Sequence, residues 1–359
     1  MERGRMTQDE PRYGEYAPPG WTPPEPQPAW PSPAAAAPQG PIPLRPLFLA
    51  DVIAGVFKLI RRNPRPTIWF ALGLTAVASV LAVVIVGAVL WNALSGLQPG
   101  TPPALDTVRG VLVAATVGAL AAVVVQVVLI AIPQAVVTVE VARATLGERR
   151  TVRELWARAR GRVPTLIAWM LILGVGGGAA VLLGALGLAE LAIGGGVAGA
   201  VTAVGVGLLG LVAVLVIAFW LGTKLAFVPA LIVIERLPLG AALRRSWALT
   251  AGSFWRILGI TLLVGLIVQV GAQVLMMPVT FLSSFVEPTA TLDARAIAIV
   301  VLAVLVQIIV SAVAVVVQAA VPAVLYLDVR MRREGFDAVL RADAEARAAG
   351  RTPAADPFA

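Results

Sequence analysis

The sequence predicts an all-α integral membrane protein: six transmembrane helices in three hairpin repeats, each repeat preceded by an interfacial amphipathic helix, behind a disordered proline-rich N-terminal tail. Three observations lead there. Of the 359 residues, 59% are hydrophobic and only 13% charged, too little polar surface to cover a water-soluble core. Several apolar runs reach the ~20 residues that a helix needs to cross ~30 Å of hydrocarbon, where barrel strands would alternate over ~10. A pattern of tryptophan or phenylalanine, breaker, span, proline, acid and arginine also recurs along the chain.

Residues 1–43 hold 12 of the 27 prolines, with Tyr13, Tyr16, Trp21 and Trp30 among them. Such a segment forms neither helix nor sheet and has polyproline II character. It is not expected to be a signal peptide, because no apolar stretch longer than a few residues follows its start before position 47. A solvated tail is expected, with a polyproline ligand for a partner protein as the alternative. Residues 44–340 form the membrane domain, its repeats covering approximately 47–145, 150–237 and 238–335. Residues 341–359 are expected to be a C-terminal tail.

Within the membrane domain, Leu47 to Asn63 is amphipathic. Val52, Val56, Phe57 and Ile60 fall on one face, and Asp51, Lys58, Arg61 and Arg62 supply polar positions, so the helix is expected to lie in the headgroup layer. Asn63-Pro64-Arg65-Pro66 breaks it. Spans then run over 68–90, 111–131 and 166–188, from about Val201, from Ile257 to Met276, and from Ala296. The turns on one side hold only Arg109 and Arg295, and the other 26 Lys and Arg lie on the opposite side. The excess of positive charge places both termini in the cytoplasm.

Phe57, Trp156 and Trp247 sit late in three short amphipathic segments, 99 and 91 residues apart. Pro133, Pro229 and Pro322 follow the even-numbered spans at separations of 96 and 93, each trailed by an acid (Glu140, Glu235, Asp328) and an arginine (Arg143, Arg236, Arg330). The apolar run around Pro133 is too long for the bilayer. Because proline removes a helical hydrogen bond, the three prolines are candidate hinges, with the apolar pieces beyond them forming a collar on the cytoplasmic side.

The stretches PLRPLFLADVIAGVFKLIRRNP at 43–64, FVPALIVIERLPLGAALRRSWALTAGSFWRILG at 227–259 and YLDVRMRREGFD at 326–337 resemble the six-span membrane domain of actinobacterial proteins, named for its attachment to some glycerophosphoryl diester phosphodiesterases. The resemblance covers roughly residues 43–340. It implies a stand-alone domain in a bacterial cell membrane. The phosphodiesterase activity belongs to a separate metal-dependent barrel with catalytic histidines, and this chain has no histidine.

Absent cysteine and histidine remove thiolate nucleophiles, His-based metal sites and the common neutral-pH proton shuttle. No cofactor and no catalytic residue is expected. The formal charge of +8 is explained by topology rather than by nucleic acid, which would need a basic face on a soluble domain. Arg61 and Arg62, Arg158, Arg160 and Arg162, and Arg244 and Arg245 form basic clusters suited to anionic lipid headgroups at ~1 kcal/mol per residue. Lys224, in an otherwise apolar run, either holds an anion or snorkels to the interface. The glycine pairs Gly174/Gly178 and Gly195/Gly199 have the four-residue spacing of close helix approach. These features predict a non-catalytic membrane protein that binds lipid or a partner at the cytoplasmic leaflet. The alternative is a permease or exporter of a small amphiphile or anionic substrate.

Overall fold

The computed structural model describes residues 42–43, 45, 47–95, 105–284, 294–349, 351 and 356–358. Nearly all of the proline-rich tail, with its proposed partner motif, lies outside the described residues. Every regular element among them is helical: α1 (Leu49–Arg62), a π-helical turn (Arg65–Trp69), α2 (Phe70–Leu94), α3 (Leu105–Thr145), α4 (Val152–Ala159), α5 (Val163–Gly194), α6 (Gly196–Lys224), α7 (Val228–Val233), α8 (Leu239–Thr250), α9 (Phe254–Ser283), α10 (Ala294–Glu334) and α11 (Phe336–Ala348). Six helical stretches, centred on α2, α3, α5, α6, α9 and α10, are long and apolar enough to cross a membrane. Successive members pack together, α2 along α3, α5 along α6 and α9 along α10.

The helix boundaries follow local chemistry. At the start of α1 the Asp51 carboxylate accepts the Phe48 N–H at 3.0 Å, satisfying one of the four donors a helix start leaves free. Arg61 and Arg62 occupy the last turn, where a cation complements the helix dipole. Asn63 alone breaks the chain. The helix restarts at once, because prolines at its first positions lack only N–H groups that have no intrahelical partner, and Pro66 and Thr67 are buried. Between α5 and α6 the turn is tight. Gly196 has φ +58°, and a Cβ on Gly199 would lie 2.4 Å from the Leu191 carbonyl oxygen, so only glycine fits there. Gly174 approaches Val127 of α3, whereas Gly178 faces open space.

The prolines behave in two ways. α3 and α10 run through Pro133 and Pro322 as single helices of 41 residues, about 60 Å each at ~1.5 Å per residue, twice the hydrocarbon core. In the third case the break comes before the proline. α6 stops at Lys224, and Pro229 sits in the first turn of α7. The overrunning ends and α7 converge: Val137, Ile232 and Val324 are all fully buried, and α3, α7 and α10 touch one another.

This convergence is the core of the molecule. Val52, Val56 and Leu59 of α1, Leu155 and Ala159 of α4, and Ala242 and Leu249 of α8 cover it, with Phe336 and Leu340 of α11. Phe57 departs from expectation. It is 60% exposed while Leu59 takes the buried position, because Leu59 continues the seven-residue spacing from Val52 that faces the core. The spans are open by contrast, with Leu209 75% and Val204 64% exposed. α11 begins before the boundary drawn at residue 340 and continues past it, so the start of the expected C-terminal tail is helical.

Ile232→Ala should therefore cost about 2–5 kcal/mol, seen as a clear fall in the thermal midpoint in detergent. Val204→Ala should leave that midpoint within error. Equal effects of the two changes would place the stabilising core in the spans instead.

Candidate functional site

Most of the charged groups gather around the core at one end of the bundle, the basic end, while Arg109 and Glu190 pair at the other. The acid and arginine that follow each proline do not pair with each other. Each acid instead finds donors on a different element, because a carboxylate in an apolar core needs them and the arginine that follows it turns to other partners, Arg143 to Asp356 and Arg330 to Glu235 and Glu334.

Asp328, on α10, is fully buried. It accepts the Leu47 N–H at 2.7 Å and Arg332 Nε at 3.0 Å, and Arg256 of α9 donates to its other oxygen. Arg256 and Arg332 also donate to the Leu47 carbonyl, at 2.6 and 2.9 Å. One carboxylate thus joins the approach to α1, the start of α9 and the end of α10. Glu140, on α3, receives Asn63 Nδ2 at 3.0 Å. Asn63 also donates to the Arg150 carbonyl at 2.9 Å. α1 is consequently held at both ends by buried acids. Glu235 follows α7 and takes Arg245 Nη2 of α8 at 2.9 Å, the Tyr326 hydroxyl at 2.5 Å, and Arg330 at 3.7 Å.

The basic clusters divide in a regular way. Arg62 donates to the Gly147 carbonyl, and its guanidinium is held below its ordinary pKa range by burial and by the Arg149 charge, with Glu140 opposing. Arg158 pairs with Asp356 at 3.4 Å. Arg245 bridges Glu235 and Glu334. Their neighbours Arg61, Arg160 and Arg244 are exposed, and no side-chain bond holds them among the described residues. Arg162 is half-buried at the start of α5.

Lys224 closes α6. Its ammonium lies 5.3 Å from the Trp247 ring centre and 5.7 Å from that of Phe254, while its carbonyl accepts the Ser246 hydroxyl at 2.8 Å. Two aromatic faces therefore engage the cation, and the helix end favours its charge.

The C-terminal residues return to this end. The Asp356 carboxylate meets Arg143 at 2.6 Å and the Phe358 N–H at 3.1 Å. Phe358 packs edge-on against Phe336 with ring centres 5.5 Å apart. Asp356 and Phe358 help line a cavity of about 260 Å³ with Arg143, Arg158 and Arg236. Burial raises the Asp356 pKa, but the Arg143 and Phe358 hydrogen bonds outweigh it and hold the carboxyl below its ordinary range. Glu148 behaves alike: burial opposes ionisation, and the hydrogen bonds from Arg347 and Arg150 prevail.

Arg256, Tyr326, Asp356 and Phe358 were not among the residues the sequence singled out. Tyr326 left a trace, as a phenol at the end of a long apolar run. Arg256, one charge at the head of a span, and Asp356, deep in an expected tail, carried no pattern of their own.

Residues 201–348 match the family model described as the membrane domain of glycerophosphoryl diester phosphodiesterase. The match is to that family's membrane domain and supports this assignment for the matched stretch. It includes the segments 227–259 and 326–337, and 43–64 lies outside it. No curated protein and no solved structure matches the chain.

Asp328→Ala should cost about 1–3 kcal/mol, because it leaves the buried Leu47 N–H without an acceptor and removes the carboxylate that two partly exposed guanidiniums share, whereas Arg244→Ala should stay within ~0.5 kcal/mol. Thermal denaturation in detergent measures both. A depressed folded-state pKa at Asp356 contributes stability above the unfolded value near ~3.9 and loses it as pH falls through the folded value. A spin label at position 357 should accordingly stay immobilised at pH 5 and be released only below about pH 4. Asp356→Asn should release it at neutral pH.

Proposed function

We propose that this is a non-catalytic, multi-pass protein of the bacterial cell membrane that binds the headgroups of anionic lipids, with its basic end and both termini on the cytoplasmic side. The carrying observation is the division within the basic clusters. Arg62, Arg158 and Arg245 hold the fold together, and beside each stands an exposed guanidinium, at Arg61, Arg160 and Arg244. Such cations are drawn to the negative surface of a cytoplasmic leaflet. Exposed aromatics support the same placement: Trp69 and Trp255 lie at the basic ends of their spans, 65% and 80% exposed, as interfacial anchors do.

The absence of catalytic function is supported by the matched family, which is the membrane domain. Lys224, the chief motive for a transport reading, stacks on two rings at a helix end, which supports an anchoring role.

The combined change Arg61→Gln, Arg160→Gln and Arg244→Gln should leave the fold intact, because no side-chain bond among the described residues is lost. At ~1 kcal/mol per cation it should weaken the preference for phosphatidylglycerol over phosphatidylcholine by roughly 100-fold. Fluorescent-lipid competition in nanodiscs reads this directly. An unchanged preference would remove the headgroup reading.

A further inference from the structure

We infer that the crevice between α1, α9 and α10 is a binding site for one acyl chain of an anionic glycerophospholipid, whose headgroup meets Arg256 and Arg332 at its mouth. The inference rests on the lipid-binding reading above and names a site that the exposed clusters do not include.

The crevice has a volume of about 230 Å³ and an almost wholly apolar lining. Ile53 and Phe57 of α1 form one wall, Val264, Gly271 and Leu275 of α9 a second, and Val317 of α10 a third. Phe57 is thereby explained: it faces away from the core because it borders this crevice. A second opening, of about 440 Å³, is bounded by Leu47 to Leu49, Trp255, Arg256, Gly259, Ile260 and Arg332. The two occupy successive turns of one α9 face, since Arg256, Ile260, Val264, Val268 and Ala272 follow at four-residue intervals and Leu275 three further on.

Length and charge identify the occupant. From Val264 to Leu275 the helix rises about 16 Å, close to half of the ~30 Å hydrocarbon core. The crevice is therefore about one leaflet deep, and its nearer end lies about 12 Å along α9 from Arg256, with the second opening between them. At its mouth two guanidiniums share the single carboxylate of Asp328, leaving one positive charge in excess. Their side chains remain 33% and 38% exposed. An apolar slot of leaflet depth beneath a net cation complements a single-chain segment below a phosphate. It fits neither a wholly apolar molecule nor a free anion.

Two glycines allow a test that spares the Arg256–Asp328–Arg332 group. A Cβ at Gly271 meets nothing within 4 Å, and neither does one at Gly259, so larger side chains enter open space. Gly271→Leu fills the slot, and Gly259→Glu sets a carboxylate at the mouth with Gly259→Gln as its neutral control. The full chain in nanodiscs of phosphatidylcholine with limiting phosphatidylglycerol, ejected into a native mass spectrometer, reports retained lipid. Wild type should retain one phosphatidylglycerol. Gly271→Leu should lower its affinity about tenfold, as expected for displacing roughly two methylene groups. Gly259→Glu should do the same and Gly259→Gln should not. Thermal midpoints equal to wild type show that the variants fold. Retention undiminished in both Gly271→Leu and Gly259→Glu overturns the crevice site while leaving the exposed-arginine reading intact. A wild type that retains no anionic lipid overturns both, and equal retention of phosphatidylcholine overturns the headgroup contact.

Discussion

An apolar side chain gains nothing by leaving lipid tails for protein, so a membrane helix has no hydrophobic reason to pack tightly along its length. Where a helix emerges into water, that reason returns in full. The architecture depends on this difference. α3 and α10 run far beyond the bilayer and α7 follows directly after α6, so three strongly apolar pieces stand where water would reach them. They bury one another, and amphipathic helices cover what remains. The spans, left with lipid-facing valine and leucine, are correspondingly open.

Such a core creates its own electrostatic problem. The overrunning pieces must end in polar sequence, and Glu140, Glu235 and Asp328 lie where that sequence begins, partly or wholly buried. A buried carboxylate is costly unless donors surround it. The donors come from the covering elements: Asn63 at the end of α1, Arg245 on α8, Arg256 on α9 and the Leu47 N–H. Each acid consequently fixes the placement of a neighbouring element. α1 illustrates the result, because its apolar face gives it affinity for the core while the two bonds at its ends define where it stops.

The same economy of charge bears on function. Arg61, Arg160 and Arg244 are left over from the internal network and stand exposed, whereas Arg256 and Arg332 complete it and still carry one charge more than the Asp328 carboxylate neutralises. The crevice beneath α1 adds depth to this charged surface. It exists because α1, α9 and α10 leave a gap between them, and because Gly271 has no side chain to fill it from the α9 wall.

Composition and apolar run length were sufficient for the helical class and for six spanning helices, since both depend on the cost of exposing backbone and side chains to the wrong solvent. The amphipathic helix before α2 was equally legible, with its stop at Asn63. Pairing was not. Glu235 and Arg236 are adjacent in sequence, yet Arg236 adopts φ 55° and lies exposed while the acid turns to Arg245 and Tyr326. Phe57 seemed to belong to the buried face by spacing alone, and Asp356 sat in a stretch with no periodicity at all. Sequence spacing records which solvent a residue faces. The partner of a buried charge is chosen by whichever distant donor the packed helices bring within 3 Å, and only the tertiary structure decides that.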